Sequence, residues 1–466
     1  MKKLLSATFV TLVLTACTTT ENPSVTSSDI TVAKNSLNNP KNIIMIVGDG
    51  MGPAYTTAYR YFNDNPETNI IEETIFDRHL VGMSSTYPAR VSGYVTDSAA
   101  AATALATGVK SYNGAIGLDV DKKPVETVLE WAKKQGKKTG IVVTSQVNHA
   151  TPASYLAHNE SRNNYNAIAD SYIDGGIKAD VILGGGWKYF VRDDRNLVNE
   201  FKSAGFNYLD NLQELNQLPE NTPVLGLFAD VGLPWALDDS NNFRLSAMTK
   251  AATKQLENDE GYFLLVEASQ IDWAGHGNDI AAAMGEMTDL AKTMEYLEQY
   301  VKTNPDTLVV LTADHSTGGF TIAAEGKYEW NPEVLRTMKH SPQKIAEYLA
   351  KTDITTKEAS EQLNFKVTQN EVRLLQQAKY QASEALANFY ALDERAQLKK
   401  TKPSIETTVY IALKKLIDKR TNSGWTSSGH TAIDVPVYAF GKSSDVFKGK
   451  VDNTDIAKKL FNLLGK

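Results

Sequence analysis

Short, mostly apolar runs recur along this chain, and most close on or near glycine or acidic residues. The first is Ile43-Ile44-Met45-Ile46-Val47, followed at once by Gly48-Asp49-Gly50-Met51-Gly52. A run with no polar face reads as a strand buried on both sides of a sheet. Further runs of this kind stand at 141–144, 180–183, 262–267, 307–312 and 435–440. Helical patterns fall between or beside them at 124–135, 243–258 and 280–301, and an amphipathic one closes the chain at 455–464. The alternation predicts an α/β fold: a mostly parallel central sheet with helices on both faces. In open sheets of this type ligands gather at the carboxyl ends of the strands. The polar residues that end each run are therefore the candidates for chemistry.

One stretch breaks the rhythm. Residues 331–422 are long, polar and helical in pattern, most clearly at 369–392 and 404–419, and they lie between two stretches of core character. They read as a helical insertion or cap within a domain spanning 41–466. Upstream, Lys2 and Lys3 precede a short apolar run over 4–14, which is too brief to span a bilayer and has the form of an export signal. It ends in Leu14-Thr15-Ala16-Cys17, similar to the lipobox of bacterial lipoproteins, so 1–17 reads as a lipoprotein signal with acylation at Cys17. An ordinary secretory signal cleaved near Ala16 is the alternative. Cys17 is the sole cysteine, which excludes an intrachain disulfide and favours the lipid anchor. Thr18, where an Asp is absent, resembles outer-membrane sorting and so a periplasm-facing protein. Residues 18–40, rich in Thr, Ser and Asn, read as a tether. Net charge is -7 and no dense Lys/Arg run occurs, which speaks against a nucleic acid as specific partner.

The stretch Thr96-Asp97-Ser98-Ala99-Ala100 opens an alanine-rich run that ends at Gly108. Alanine favours helix and glycine just beyond it stops one, so Ser98 is placed in the first turn of a short helix. Free backbone N–H groups and the helix dipole favour an anionic ligand there; a plain helix cap is the bland alternative. Glu267 closes one strand and is followed by Asp272 and His276, spaced so that a helical turn would bring both onto one metal. Asp314-His315 closes the next strand, Ser428-Gly429-His430-Thr431 precedes the last, and His149 and Thr151 follow the strand at 141–144. A lone histidine at a strand end is commonly structural. Three of the seven in such company point to a metal centre, without deciding which ligands share which ion.

Taken in order, Gly48-Asp49-Gly50-Met51-Gly52, Thr96-Asp97-Ser98-Ala99-Ala100, Glu267 with Asp272 and His276, Asp314-His315 and Ser428-Gly429-His430-Thr431 resemble the alkaline phosphatase family from about Lys41 to the C-terminus, apart from the helical insertion. The resemblance implies hydrolysis of phosphate monoesters through a phosphoserine on Ser98. It implies two zinc ions, one on Asp272, His276 and His430 and one on Asp49, Asp314 and His315. It implies one magnesium on Asp49, Thr151 and Glu267. Arg162, eleven residues after Thr151, matches by spacing the arginine that grips the phosphoryl group. His149 and Trp273 stand near the site at positions where other members carry Asp or Lys. A homodimer and an alkaline optimum are further implications. The main rivals are relatives with the same metal core, a phosphodiesterase, a sulfatase or a metal-dependent mutase, and a lipoprotein that binds phosphate or metal without turnover. Ala100 breaks the Cys/Ser-x-Pro-x-Arg pattern of sulfatases.

Overall fold

A computed structural model describes residues 39–466; the 1–17 signal, Cys17 and nearly all of the 18–40 segment lie outside the described residues. In chain order the strands are β1 (Asn42–Gly48), β2 (Leu80–Ser85), β3 (Lys138–Gln146), β4 (Val181–Gly185), β5 (Asn207–Leu209), β6 (Val224–Leu227) and β7 (Tyr262–Ala268). They continue with β8 (Thr307–Thr312), β9 (Ser316–Thr317), β10 (Phe320–Ile322), β11 (Ser423–Trp425), β12 (His430–Thr431), β13 (Val435–Gly441) and β14 (Gly449–Asp452). Ten of them form one sheet in the order β14-β2-β13-β8-β1-β7-β3-β4-β6-β5. Its pairings are parallel except those of β13, which runs antiparallel to both β8 and β2.

β1 lies near the middle because nothing in it tolerates water. Ile43 through Val47 are fully buried, and each such side chain contributes roughly 1.5–3 kcal/mol relative to exposure. Its side chains alternate between two apolar cores. Ile44 and Ile46 join the helices Arg244–Leu256 and Ile280–Thr303 on one face; Ile43, Met45 and Val47 join Ser98–Thr107, Ala150–Leu156 and Asn453–Leu463 on the other. The mostly parallel sheet with helices on both faces is thus as the sequence pattern predicts.

Some boundaries differ for local reasons. The helix expected at 124–135 begins only at Val128, because Thr127 and Glu130 close a capping box and Pro124 is bridged to Leu118. The 331–422 stretch is helical throughout its main segments, including Pro342–Leu349, Gln369–Tyr390 and Ile405–Thr421. It shares the core of the first face: Leu335, Ile345, Leu349 and Leu413 pack into the same apolar cluster as Ile44.

Candidate metal centre

The carboxyl ends of β8, β1, β7 and β3, four neighbours in the sheet, deliver most of the polar groups. β1 hands over to Asp49, β7 carries Glu267 at its end, β8 leads into Asp314 and His315, and β3 leads into His149 and Thr151. The register places Val47 beside both Glu267 and Thr312, so backbone hydrogen bonds bring these ends level. The glycines after β1 serve close approach. A Cβ on Gly50, at φ +72°, would lie 2.7 Å from Asp272 Cα; one on Gly52 would lie 2.1 Å from Ser316 Oγ.

Ser98 is the first residue of its helix, as the alanine run predicts. Asp97 is the N-cap and accepts from Ala100 N at 3.0 Å; Gly108 closes the helix in the left-handed conformation. Every residue of this helix is buried, so its small side chains let it pack tightly. Ser98 Oγ lies 3.1 Å from His315 Nε2. The second oxygen of Asp97 accepts from Arg162 Nη1 at 3.2 Å, and Arg162 Nη2 donates to His149 Nε2 at 3.3 Å. Burial pulls the Arg162 pKa down, but the Asp97 carboxylate outweighs it and leaves the guanidinium firmly charged.

Asp272 and His276 stand one turn apart on the Gln270–Gly277 helix, with His276 Nε2 3.4 Å from Asp272 Oδ2. His430 Nε2 reaches to 3.6 Å of Asp272 Oδ1 and 3.1 Å of His276 Nε2. Asp49, Asp272 and His315 form a second gathering of ligand atoms, and Asp314 Oδ2 lies 3.2 Å from His315 Nε2. Asp49, Glu267 and His149 form a third, each with ligand atoms within 4.8 Å of one another. Thr151, fully buried, turns its hydroxyl toward Glu267. Trp273 meets the His149 ring edge-on at 6.0 Å and covers Gly232. Every residue singled out from the sequence for the site is therefore in or beside one pocket.

The hydrogen bonds also decide which ring nitrogens carry protons. His276 Nδ1 must donate to Ser428 O at 2.6 Å, and His430 Nδ1 to Thr96 O at 2.9 Å, since carbonyls only accept. Thr317 Oγ1 spends its proton on Asp272 Oδ1 at 2.5 Å, so toward His315 Nδ1, at 3.2 Å, it accepts. In the neutral form all three imidazoles thus aim an Nε2 lone pair inward. Two such lone pairs 3.1 Å apart, on His276 and His430, repel unless a cation sits between them.

The carboxylates make the same demand. Both oxygens of Asp49, Oδ2 of Asp314 and Oε1 of Glu267 are buried without a hydrogen bond. Burial, then the neighbouring Asp314, Asp272 and Glu267, drive the Asp49 pKa well up; burial pushes Glu267 up to about 7. Burial, with Arg162, holds His149 down at about 3, and burial holds His315 well below the usual histidine range. A buried set of acids faced by neutral imidazoles costs several kcal/mol per uncompensated charge. Divalent cations remove that cost, so the donor set fits them.

Residues not foreseen from the sequence support these ligands. Ser269 and Ser145 donate to Glu267 Oε2 at 2.7 and 3.3 Å, and Asn113 accepts from Asp97 N at 3.1 Å. Thr317 and Ser269 each stand two positions beyond a ligand, which was a usable signal. Arg244 gave none: it is fully buried and joins Gln270, Glu286 and Asp289 from a distant helix.

The family model for alkaline phosphatase matches residues 40–466. The chain is 45% identical to alkaline phosphatase 3 of Bacillus subtilis, over 91% of this chain and 89% of that protein. It is similar to the crystal structure of a cold-active alkaline phosphatase from a psychrophilic Shewanella species, at 49% identity and a TM-score of 0.82, covering 91% of this chain and all of that one. It also resembles an alkaline phosphatase mutant of the Antarctic bacterium TAB5, solved with magnesium bound, at 26% identity and a TM-score of 0.67, covering 92% and 98%.

Proposed function

The chain belongs to the alkaline phosphatase family, a metal-dependent hydrolase of phosphate monoesters, and from that premise we propose that it works through Ser98 as nucleophile with two zinc ions and one magnesium. Asp272, His276 and His430 would hold one zinc and Asp49, Asp314 and His315 the other; Asp49, Thr151 and Glu267 would hold magnesium. What supports the assignment above all is the convergence of three imidazole lone pairs on a pocket of buried, unpartnered carboxylate oxygens. Bound divalent cations supply charge stabilisation for anionic oxygens and lower the pKa of a nearby hydroxyl.

The chain's own groups do the rest. The first turn of the Ser98 helix points free N–H groups at the phosphoryl group. Ser98 Oγ gives up its proton and bonds to phosphorus while the ester oxygen leaves as alcohol. Water then cleaves the phosphoserine, returning the serine and releasing phosphate. Arg162, fixed by Asp97, keeps donors for two phosphoryl oxygens, a planar fork that lysine cannot copy. A dianionic monoester suits that fork better than a diester. Ser98→Ala should lower turnover of p-nitrophenyl phosphate by about 10³-fold or more. Acid quenching should trap phosphate on the parent enzyme and none on the variant; near-parental turnover by the variant would overturn the covalent route.

The same reading takes 41–466 as the catalytic domain with 331–422 as a helical insertion. It takes the enzyme to be a homodimer with an alkaline optimum, exported to the periplasm and held at the outer membrane by acylated Cys17. Among the described residues no helix is long and apolar enough to cross a membrane. Loss of membrane association in Cys17→Ala is the expected result for the anchor.

A further inference from the structure

The Gln270–Gly277 helix is only eight residues long, and His276 is its penultimate one. Helices this short do not hold themselves. Its start is tied inward, where Gln270 Oε1 accepts from buried Arg244 at 2.6 Å and Gln270 Nε2 donates to Leu233 O at 2.6 Å. Its end is tied by the 331–422 stretch. Lys414, on the Ile405–Thr421 helix, donates to the Gly277 carbonyl. Tyr410, one turn earlier, donates from its hydroxyl to Asp279 Oδ2 at 2.9 Å, and the Lys414 ammonium lies 4.2 Å over the Tyr410 ring. Asp279 in turn caps the following Ile280–Thr303 helix through Ala282 N at 2.9 Å. Between these anchors Asn278 takes the left-handed conformation and donates to Ser427 O at 2.8 Å, beside the Ser428 carbonyl that orients His276.

The contact is built for this place. Gly277 O is one of the terminal carbonyls that the helix leaves without an internal partner, and a cation there also meets the negative end of the dipole. Lys414 has given up much of its water to reach it, since burial lowers its pKa while Asp279 and Asp418 oppose the fall. The His276 side chain is 42% exposed, against 13% for His430 and 5% for Asp272. It is the ligand least fixed by packing, so its position depends most on how the helix end is held.

We propose that Lys414 and Tyr410 are positioning residues by which the 331–422 helices set His276 for the metal shared with Asp272 and His430. The inference rests on reading that cluster as a zinc site. It gives the helical stretch a task at the site although none of its side chains enters the pocket as a ligand.

The test uses the full-length protein loaded with zinc, and follows zinc release to a chromogenic chelator. The phase missing from His276→Ala belongs to this cluster. Lys414→Met should speed that phase about tenfold, the lower range for losing an outer support of a metal ligand. It should leave the remaining release unchanged, and Lys414→Arg should restore the parental rate. Tyr410→Phe should speed the same phase by a smaller factor, and it carries the test if Lys414→Met fails to fold. Unchanged release in the variants that fold, or equal acceleration of every phase, would overturn the proposal. A parent protein with no zinc phase dependent on His276 would instead overturn the metal reading beneath it.

Discussion

Two halves of one pocket are built in opposite ways. Asp49, Glu267, Asp314 and His315 are fully buried at the ends of adjoining strands, aligned by the register of β1 with β7 and β8. His276 and His430 are partly exposed, one on an eight-residue helix and the other on a two-residue strand. The inner half inherits its geometry from the sheet, where moving one ligand means breaking a ladder. The outer half is assembled from short pieces, each tied by a carbonyl, a capping side chain or a neighbouring helix. The inner half should therefore fail outright when altered, and the outer half by degrees.

The hardest test of that contrast is Asp49→Ala. Asp49 stands in two of the three ligand gatherings, so kcat/KM for p-nitrophenyl phosphate should fall about 10³-fold or more. Added zinc should not restore it. His276→Ala should cost about 10²-fold in dilute zinc and recover in part when zinc is raised, because mass action can refill a weakened site. Equal losses with equal recovery in the two variants would erase the distinction.

How far the sequence revealed each half follows from the same physics. Candidate ligands at the ends of apolar runs were legible because burial on both faces leaves a pattern, as in 43–47 and 307–312, and the polar residue that ends the run stands out. Asp272 and His276 were legible from helical spacing. The supports were not: Arg244 and Lys414 reach the Gln270–Gly277 helix from distant segments, and no local pattern records such a contact. β2 leaves no such mark because it is mostly half-buried rather than apolar throughout, and β6 because four residues, one a glycine, make a weak signal. The direction of β13 depends on its neighbours, which a single run does not encode. The helices of 331–422 were legible, but their union with the core of the first face was not, since amphipathic pattern names a buried face without naming what buries it.

A subtler effect would sharpen the picture of the inner half. Burial raises Glu267 to about 7 in the folded protein, above the usual 4.5. The folded state then holds this proton more tightly than the unfolded one. Its contribution to metal-free stability is complete below about 4.5 and is lost as pH rises through 7. In chelator, Glu267→Gln should gain melting temperature relative to the parent as pH climbs from about 5 to 8. With excess magnesium and zinc the order should reverse, since the parent alone keeps the ligand. A difference between the two proteins that stays flat across that range would show that Glu267 does not titrate there.

The buried carboxylates of Asp49, Asp314 and Glu267 carry one last consequence. Before any ion arrives, burial favours a hydrogen ion on these acids, and each incoming metal must evict it. Loading is then an exchange, acidifying an unbuffered solution as it proceeds and running backwards when the surroundings turn sour. An enzyme folded in an acidic niche would emerge as an inert shell, ready to be armed by nothing more than a shift toward alkalinity in the presence of trace metal.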